Sequence, residues 1–133
     1  NKQAFIQGPQ VKELEVALSA FCGAKHAITC ANGTDALQLA LMALKIGPGD
    51  AVFVPSFTYT ATAEVILLLG ATPVFVDSDL DTFNIDYASA EAAIDRVLAK
   101  GELRPAALMT VDLFGQPVDY ARARGIADRH GLA

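Results

Sequence analysis

Two hydrophobic rhythms alternate along the chain, a helical stripe and a short apolar run, and the switches between them mark out its elements. Val11, Leu14, Leu18 and Phe21 recur at helical spacing with Lys12, Glu13 and Glu15 on other faces, so a helix is expected, opened by Pro9 and closed by Gly23 as a left-handed cap. Residues 26–29 read as the first core strand. The stretch 36–44 is apolar nearly all round, and such a helix must be packed on more than one side. Gly47-Pro48-Gly49-Asp50 is a turn signal ahead of the apolar strand 51–54, which Pro55 stops. A loop from Ser56 runs through Glu64 into an apolar helix over 65–69, capped at Gly70. Residues 72–76 make a third strand, with Pro73 near its start, where a missing N–H costs least. Asp86 is expected to cap a helix through Ile94, Val97 and Leu98 that stops at Gly101. Residues 106–111 make a fourth strand, and Asp119 caps a last helix closing near His130 and Gly131. Leu132 and Ala133 read as the opening of another strand.

Strand and helix at this rhythm imply right-handed parallel βαβ units, hence an α/β fold of three layers, α/β/α, with a mostly parallel sheet covered on both faces. Ligands of such sheets sit beyond the carboxyl ends of the strands.

Composition narrows the class. The 133 residues suffice for one domain with a core, and the formal net charge of −5 argues against nucleic acid or an anionic membrane surface as partner. No apolar run reaches the roughly 18 residues of a membrane span, and no basic-then-apolar leader opens the chain. Cys22 and Cys30 form no CxxC pair, so neither a metal site nor a disulfide framework is expected, and a reducing cytoplasm is the default. A hydrophobic content of 53% is high for a free-standing soluble domain, so part of the surface should be covered by something this chain does not contain.

Candidate chemistry gathers at three expected strand ends. Residues 28–37 read as a strand running into a small-residue turn that opens a helix, which is the layout of an anion site. The first N–H groups of a helix lack internal partners and carry partial positive charge. Gly33 lets a ligand approach the backbone, and Thr34 adds a hydroxyl donor. The alternative is that Asn32 simply caps the helix. Ser56-Phe57-Thr58-Tyr59 follows the second strand and Asp112-Leu113-Phe114-Gly115-Gln116 the fourth. A helix start for phosphate, an aromatic ring for a flat heterocycle and a polar group at the rim suit a phosphorylated planar cofactor. Tyr59 can equally be a core aromatic, and Asp112 a solvated loop acid.

Several stretches together carry a resemblance. Phe5-Ile6-Gln7-Gly8-Pro9, Asn32-Gly33-Thr34-Asp35-Ala36-Leu37, Gly47-Pro48-Gly49-Asp50, Pro55-Ser56-Phe57-Thr58-Tyr59 with Ala61-Thr62-Ala63-Glu64, Leu69-Gly70-Ala71, Phe75-Val76-Asp77 and Phe114-Gly115-Gln116-Pro117 resemble the DegT/DnrJ/StrS family. These are pyridoxal-phosphate (PLP) dependent aminotransferases of fold type I that act on keto-sugars, mostly nucleotide-linked. The resemblance implies that Gly33, Thr34 and the Asp35 backbone bind the cofactor phosphate, that Tyr59 lies against the pyridine ring, and that Asp112 stands near the ring oxygen. The Asp35 carboxylate would turn away as a first-turn acid, worth roughly 0.3–1 kcal/mol to the helix. The stretch from Phe5 to Gly8 is similar to one near the sugar substrate.

The resemblance also implies what is missing. Transamination needs a Schiff-base lysine and an acid against the pyridine nitrogen. In the family both lie beyond the point that matches Ala133, and Lys2, Lys12, Lys25, Lys45 and Lys100 lack the expected context. Residues 1–133 are accordingly expected to be the N-terminal portion of the PLP-binding large domain, without the rest of that domain or the C-terminal small domain. Alone, they should be inactive. The parent would pass an amino group from an amino acid, glutamate above all, to a nucleotide-linked keto-sugar in amino-sugar and polysaccharide biosynthesis, as a cytoplasmic homodimer with a shared active site. At about 25 cal/mol per Å², a few hundred Å² of uncovered apolar area forfeits several kcal/mol, so the stretch alone should be aggregated or molten.

Rival readings are a cyclitol aminotransferase of the same family, a catalytically dead regulatory relative, and a nucleotide-binding α/β module. The last lacks both GxGxxG after its first strand and a GxxxxGK[ST] loop. Asp77-Ser78-Asp79-Leu80-Asp81 resembles the start of a calcium loop, but Thr82 stands where the turn Gly belongs and Ala88 where the closing Glu should be.

Overall fold

A computed structural model describes Ile6 and residues 8–133. Its centre is the strand β1, Asp50–Pro55, every residue of which is buried. On one side β1 pairs in parallel with β2, Thr72–Val76, in the register Ala51 to Thr72 through Pro55 to Val76. On the other it pairs in parallel with β3, Arg104–Leu108, giving the order β2-β1-β3. Alternation along β1 sorts its side chains between two layers. Ala51 and Phe53 pack with Ile94 and Ala93 of helix α4 (Tyr87–Lys100) and Ile126 of helix α5 (Tyr120–His130). Val52 and Val54 pack with Leu41 of helix α2 (Gly33–Ala43) and Val65 and Ile66 of helix α3 (Ala61–Leu68). Three layers follow directly from one strand's alternation.

The caps that punctuate the sequence are realised. Asp86 accepts from the N–H groups of Ala88 and Ser89, and Asp119 from that of Arg122, while Gly101 and Gly131 close α4 and α5 in the left-handed region. At the opposite end of the sheet from the strand termini of interest, the buried Asp50 accepts from Arg104 Nε and Nη2, both at 2.8 Å to Oδ1, and from the Gly47 N–H at 3.0 Å. That cluster ties the starts of β1 and β3 to the Gly47–Asp50 turn.

Three expectations need correction. Residues 26–30 form no strand, and Ile28 is 84% exposed. A strand exists only where a neighbour takes its N–H and C=O groups, and no strand among the described residues pairs with this segment. The segment is held instead by Glu15, whose Oε1 accepts from Thr29 N and Oγ1, each at 2.9 Å. Second, β3 starts two residues earlier than expected and ends before Met109. Its register slips between Ala51 and Val52, where Pro105 has no N–H to give and one extra residue is accommodated. Third, the helix α1, Pro9–Cys22, forms and ends at Gly23 as expected, but buries none of its residues and packs against no other element among the described residues. Likewise α2 buries only Leu41, against β1 and α3, so one side of it is packed and not two among the described residues.

The expected strand opening at the end of the chain is present in its hydrogen bonds. Ala133 N–H donates to Ala106 O and Leu108 N–H to Ala133 O, both at 3.0 Å, alongside β3. None of the described helices is long and apolar enough to cross a membrane. Phe5 and Gln7, in the stretch similar to a substrate-binding one, lie outside the described residues.

Candidate functional site

The carboxyl ends of β1 and β3 and the start of α2 enclose a cavity of ≈ 490 Å³. Gly33, Thr34 and Leu37 line it from α2, Thr58, Tyr59 and Thr62 from the β1–α3 connection, and residues 109–112 from the segment after β3. Four of the five residues expected at a site are therefore brought together: Gly33, Thr34, Tyr59 and Asp112. Asp35 is not among the lining residues.

The start of α2 resolves both readings of its sequence. Asn32 is in extended conformation and caps the helix, its Oδ1 accepting from Asp35 N at 2.9 Å while its Nδ2 donates to Asp35 Oδ2 at 3.2 Å. This reciprocal pair consumes the Asp35 N–H and turns the carboxylate back on the cap. The N–H groups of Gly33 and Thr34 are left without a partner among the described residues. A Cβ built on Gly33 meets nothing within 4 Å, and its φ is not positive, so nothing inside the chain demands glycine there. Open space before two free N–H groups and a threonine hydroxyl at a helix start is a donor set that fits a phosphate.

Tyr59 lines the cavity and is 78% exposed among the described residues. Its position is set by the turn into α3, where Tyr59 O accepts from Thr62 N and Thr60 O from Ala63 and Glu64 N. Behind it, the Thr58 and buried Thr62 hydroxyls meet at 3.2 Å.

Asp112 is exposed but not loose. Its Oδ1 accepts from Val118 N at 3.0 Å and its Oδ2 from Tyr120 Oη at 2.6 Å. The Tyr120 hydroxyl bond first, and the Val118 N–H second, hold the carboxyl below its ordinary value of 3.8 against a smaller opposing desolvation. The same bond pushes the Tyr120 phenol up. The connection that carries Asp112 is pinned further along. Asn84 Nδ2 donates to Gln116 O and Pro117 O, each at 3.3 Å, and Tyr87 Oη to Asp119 O at 2.9 Å.

Beside the cavity, the connections after β1, β2 and β3 each present a phenylalanine. Phe57, Phe83 and Phe114 form a triangle with ring centroids 5.7–6.3 Å apart. Phe83 and Phe114 hold φ of +59° and +57°, a conformation bulky residues rarely adopt. Thr110 and Tyr120 carry no sequence signal of a site, since a threonine after a strand or a helix-start tyrosine is common in any α/β fold. Asp77 to Asp81 is a local turn in which Asp79 Oδ1 accepts from Asp81 N, Thr82 N and Thr82 Oγ1. Among the described residues no group of three or more His, Cys, Asp or Glu is placed to hold a metal.

Known proteins are similar to this chain in sequence and fold. The chain is 50% identical over 128 residues to UDP-2-acetamido-2-deoxy-3-oxo-D-glucuronate aminotransferase of Pseudomonas aeruginosa, a match that covers 96% of this chain and 34% of the relative. It superposes on the crystal structure of a DegT DnrJ EryC1 StrS aminotransferase from Brucella abortus with a TM-score of 0.94 and 53% identity, covering 97% of this chain and 35% of that one. NtdA of Bacillus subtilis, solved with bound cofactor PMP, matches with a TM-score of 0.84 and 33% identity over 94% of this chain and 27% of its own. The chain thus spans about a third of the length of the curated relatives it matches. The family model for DegT/DnrJ/EryC1/StrS aminotransferases matches residues 1–133 throughout, and the chain belongs to that family.

Proposed function

We propose that the full-length protein is a PLP-dependent aminotransferase that moves an amino group from an amino acid, glutamate above all, to a nucleotide-linked keto-sugar, and that residues 1–133 are the N-terminal portion of its large domain. The observation that carries this reading is the cavity in which two free helix-start N–H groups, an exposed aromatic ring and an anchored carboxylate meet. Gly33 and Thr34 bind the cofactor phosphate through their N–H groups and the Thr34 hydroxyl, which at a helix start costs no rearrangement. Tyr59 covers one face of the ring and keeps water from it. Asp112 presents a fixed acceptor at the rim. Bound there, PLP supplies an electron sink that allows the amino group to change carbon. Asp35 stabilises the helix that holds the phosphate and does not itself touch the ligand.

The lysine that anchors the cofactor and the acid that faces the ring nitrogen belong, on this reading, to the residues that follow in the full-length protein. The reading extends to a cytoplasmic homodimer whose active sites draw on both subunits. Exposed apolar side chains on α1 and α2, among them Leu14, Phe21, Leu39 and Met42, support a covered surface in the complete protein. The test is the visible absorption of the full-length protein supplied with PLP. A band that appears with PLP and bleaches when glutamate is added is the expected result, and no band with PLP in excess overturns the proposal.

A further inference from the structure

Asp112 is the one carboxylate lining the cavity, yet it sits on an exposed connection, where a side chain with two free torsions has no reason to keep one orientation. Two donors keep it. The Val118 N–H comes from a buried residue of the same connection, and the Tyr120 hydroxyl from the first residue of α5, an element fixed by the Asp119 cap and by Ile126 in the core. The start of α5 is anchored in turn from α4, by Tyr87 Oη on Asp119 O. The Tyr120 ring contributes little packing, since the residue is 58% exposed. What the sequence invests at position 120 is therefore the hydroxyl.

Resting on the function proposed above, we propose that Tyr120 is a positioning residue: its hydroxyl locks the Asp112 carboxylate at the cavity wall so that a fixed negative charge faces the bound cofactor. A 2.6 Å O–H···O⁻ bond is in the strong, charge-assisted range, enough to select one carboxylate orientation. The other charged and titratable groups around this pair are Tyr87 on α4 and Asp119 and Arg122 at the start of α5, with the Arg122 guanidinium 4.7 Å above the Tyr87 ring. A fixed anion favours the protonated form of any ionisable group beside it, so the charge of Asp112 raises the pH at which the bound cofactor loses its proton.

The test uses the full-length protein as wild type, Tyr120→Phe and Asp112→Asn, and follows the visible absorption of the cofactor across pH. The expected result is a midpoint lowered by about one pH unit in Asp112→Asn, by part of that in Tyr120→Phe, and by no more in the double variant than in Asp112→Asn alone. A second readout needs no cofactor. The Asp112 carboxyl carbon, followed by NMR, should titrate at higher pH in Tyr120→Phe than in wild type, while the melting temperature barely moves. An unshifted carboxyl titration overturns the proposal, as does a cofactor midpoint unmoved in both variants. A wild type that shows no cofactor band at all instead defeats the proposed function, and the carboxyl titration still decides whether Tyr120 governs Asp112.

Discussion

Helices α1 and α4 are both 14 residues long, both end on a left-handed glycine, and both carry a stripe of apolar side chains, yet they live in different molecules, so to speak. Helix α4 buries Tyr87, Ala90, Ala93 and Ile94 against the sheet. Helix α1 buries nothing, and Phe21 at its end is 88% exposed. The local signals of the two helices are alike, and among the described residues only α4 has a buried face. Pro at the first turn and Gly at the end suffice to define bounds, but most helical stability in proteins comes from a buried face. The cavity lies on the seam between the two regimes. Gly33 and Thr34 arrive from the lightly packed N-terminal part, and Tyr59 and Asp112 from the β1-centred core, with the α2–α3 contact joining them.

That contrast can be broken in a definite order. Phe53 is wholly buried at the middle of β1, and Phe53→Ala should cost the full-length protein about 3–5 kcal/mol, read as a lowered denaturation midpoint. A loss under about 1 kcal/mol would mean that the sheet is not the centre of stability. Next in size, Thr34→Ala and Tyr59→Ala should each weaken PLP binding roughly tenfold, since a hydrogen bond to a charged group contributes about 1.5–3 kcal/mol and ring stacking about 0.5–1.5 kcal/mol. Equilibrium titration of PLP into the full-length variants checks this, and unchanged affinity in both removes them from the site. The smallest effect concerns the tether of the 26–30 segment. The Thr29 N–H, then its hydroxyl, hold the Glu15 carboxyl below its ordinary 4.5. Because the folded value is the lower one, the tether is fully present above pH 4.5 and is lost as pH falls through the depressed value. The protection factor of the Thr29 amide, the intrinsic exchange rate at the same pH divided by the observed one, should accordingly fall in acid, and at neutral pH in Glu15→Gln, with the protection factors of β1 unaffected in both.

Much of the fold was legible because its signals are local. Asp86 and Asp119 before periodic stretches, Gly101 and Gly131 after them, and the apolar run at 51–54 each specify an element through a few neighbouring residues. The strand expected at 26–29 fails for the complementary reason, since an apolar run states a preference for extension and says nothing about a partner for its N–H groups. The shift in β3 follows from Pro105, which reads as a strand breaker yet is absorbed where the register slips. That Gly33, Thr34, Tyr59 and Asp112 line one cavity was readable because the ends of parallel strands in an α/β sheet open on the same rim. Less legible was that the Asp35 N–H goes to the Asn32 cap. Tyr120 was invisible: eight residues and a turn separate it from Asp112, and no periodicity reports a bond made across a loop.

The paired hydrogen bonds of Ala133 fix more than one residue. Parallel pairing sets direction, so any chain continuing from Ala133 along β3 advances toward Asp112 and leaves the sheet on the same rim as the Gly33 helix start. A polar side chain released there would need only a few residues of travel to reach the cavity that Tyr59 lines. The docking of that single alanine is thus a rail, laid parallel to β3 and pointing at the rim where the chamber opens.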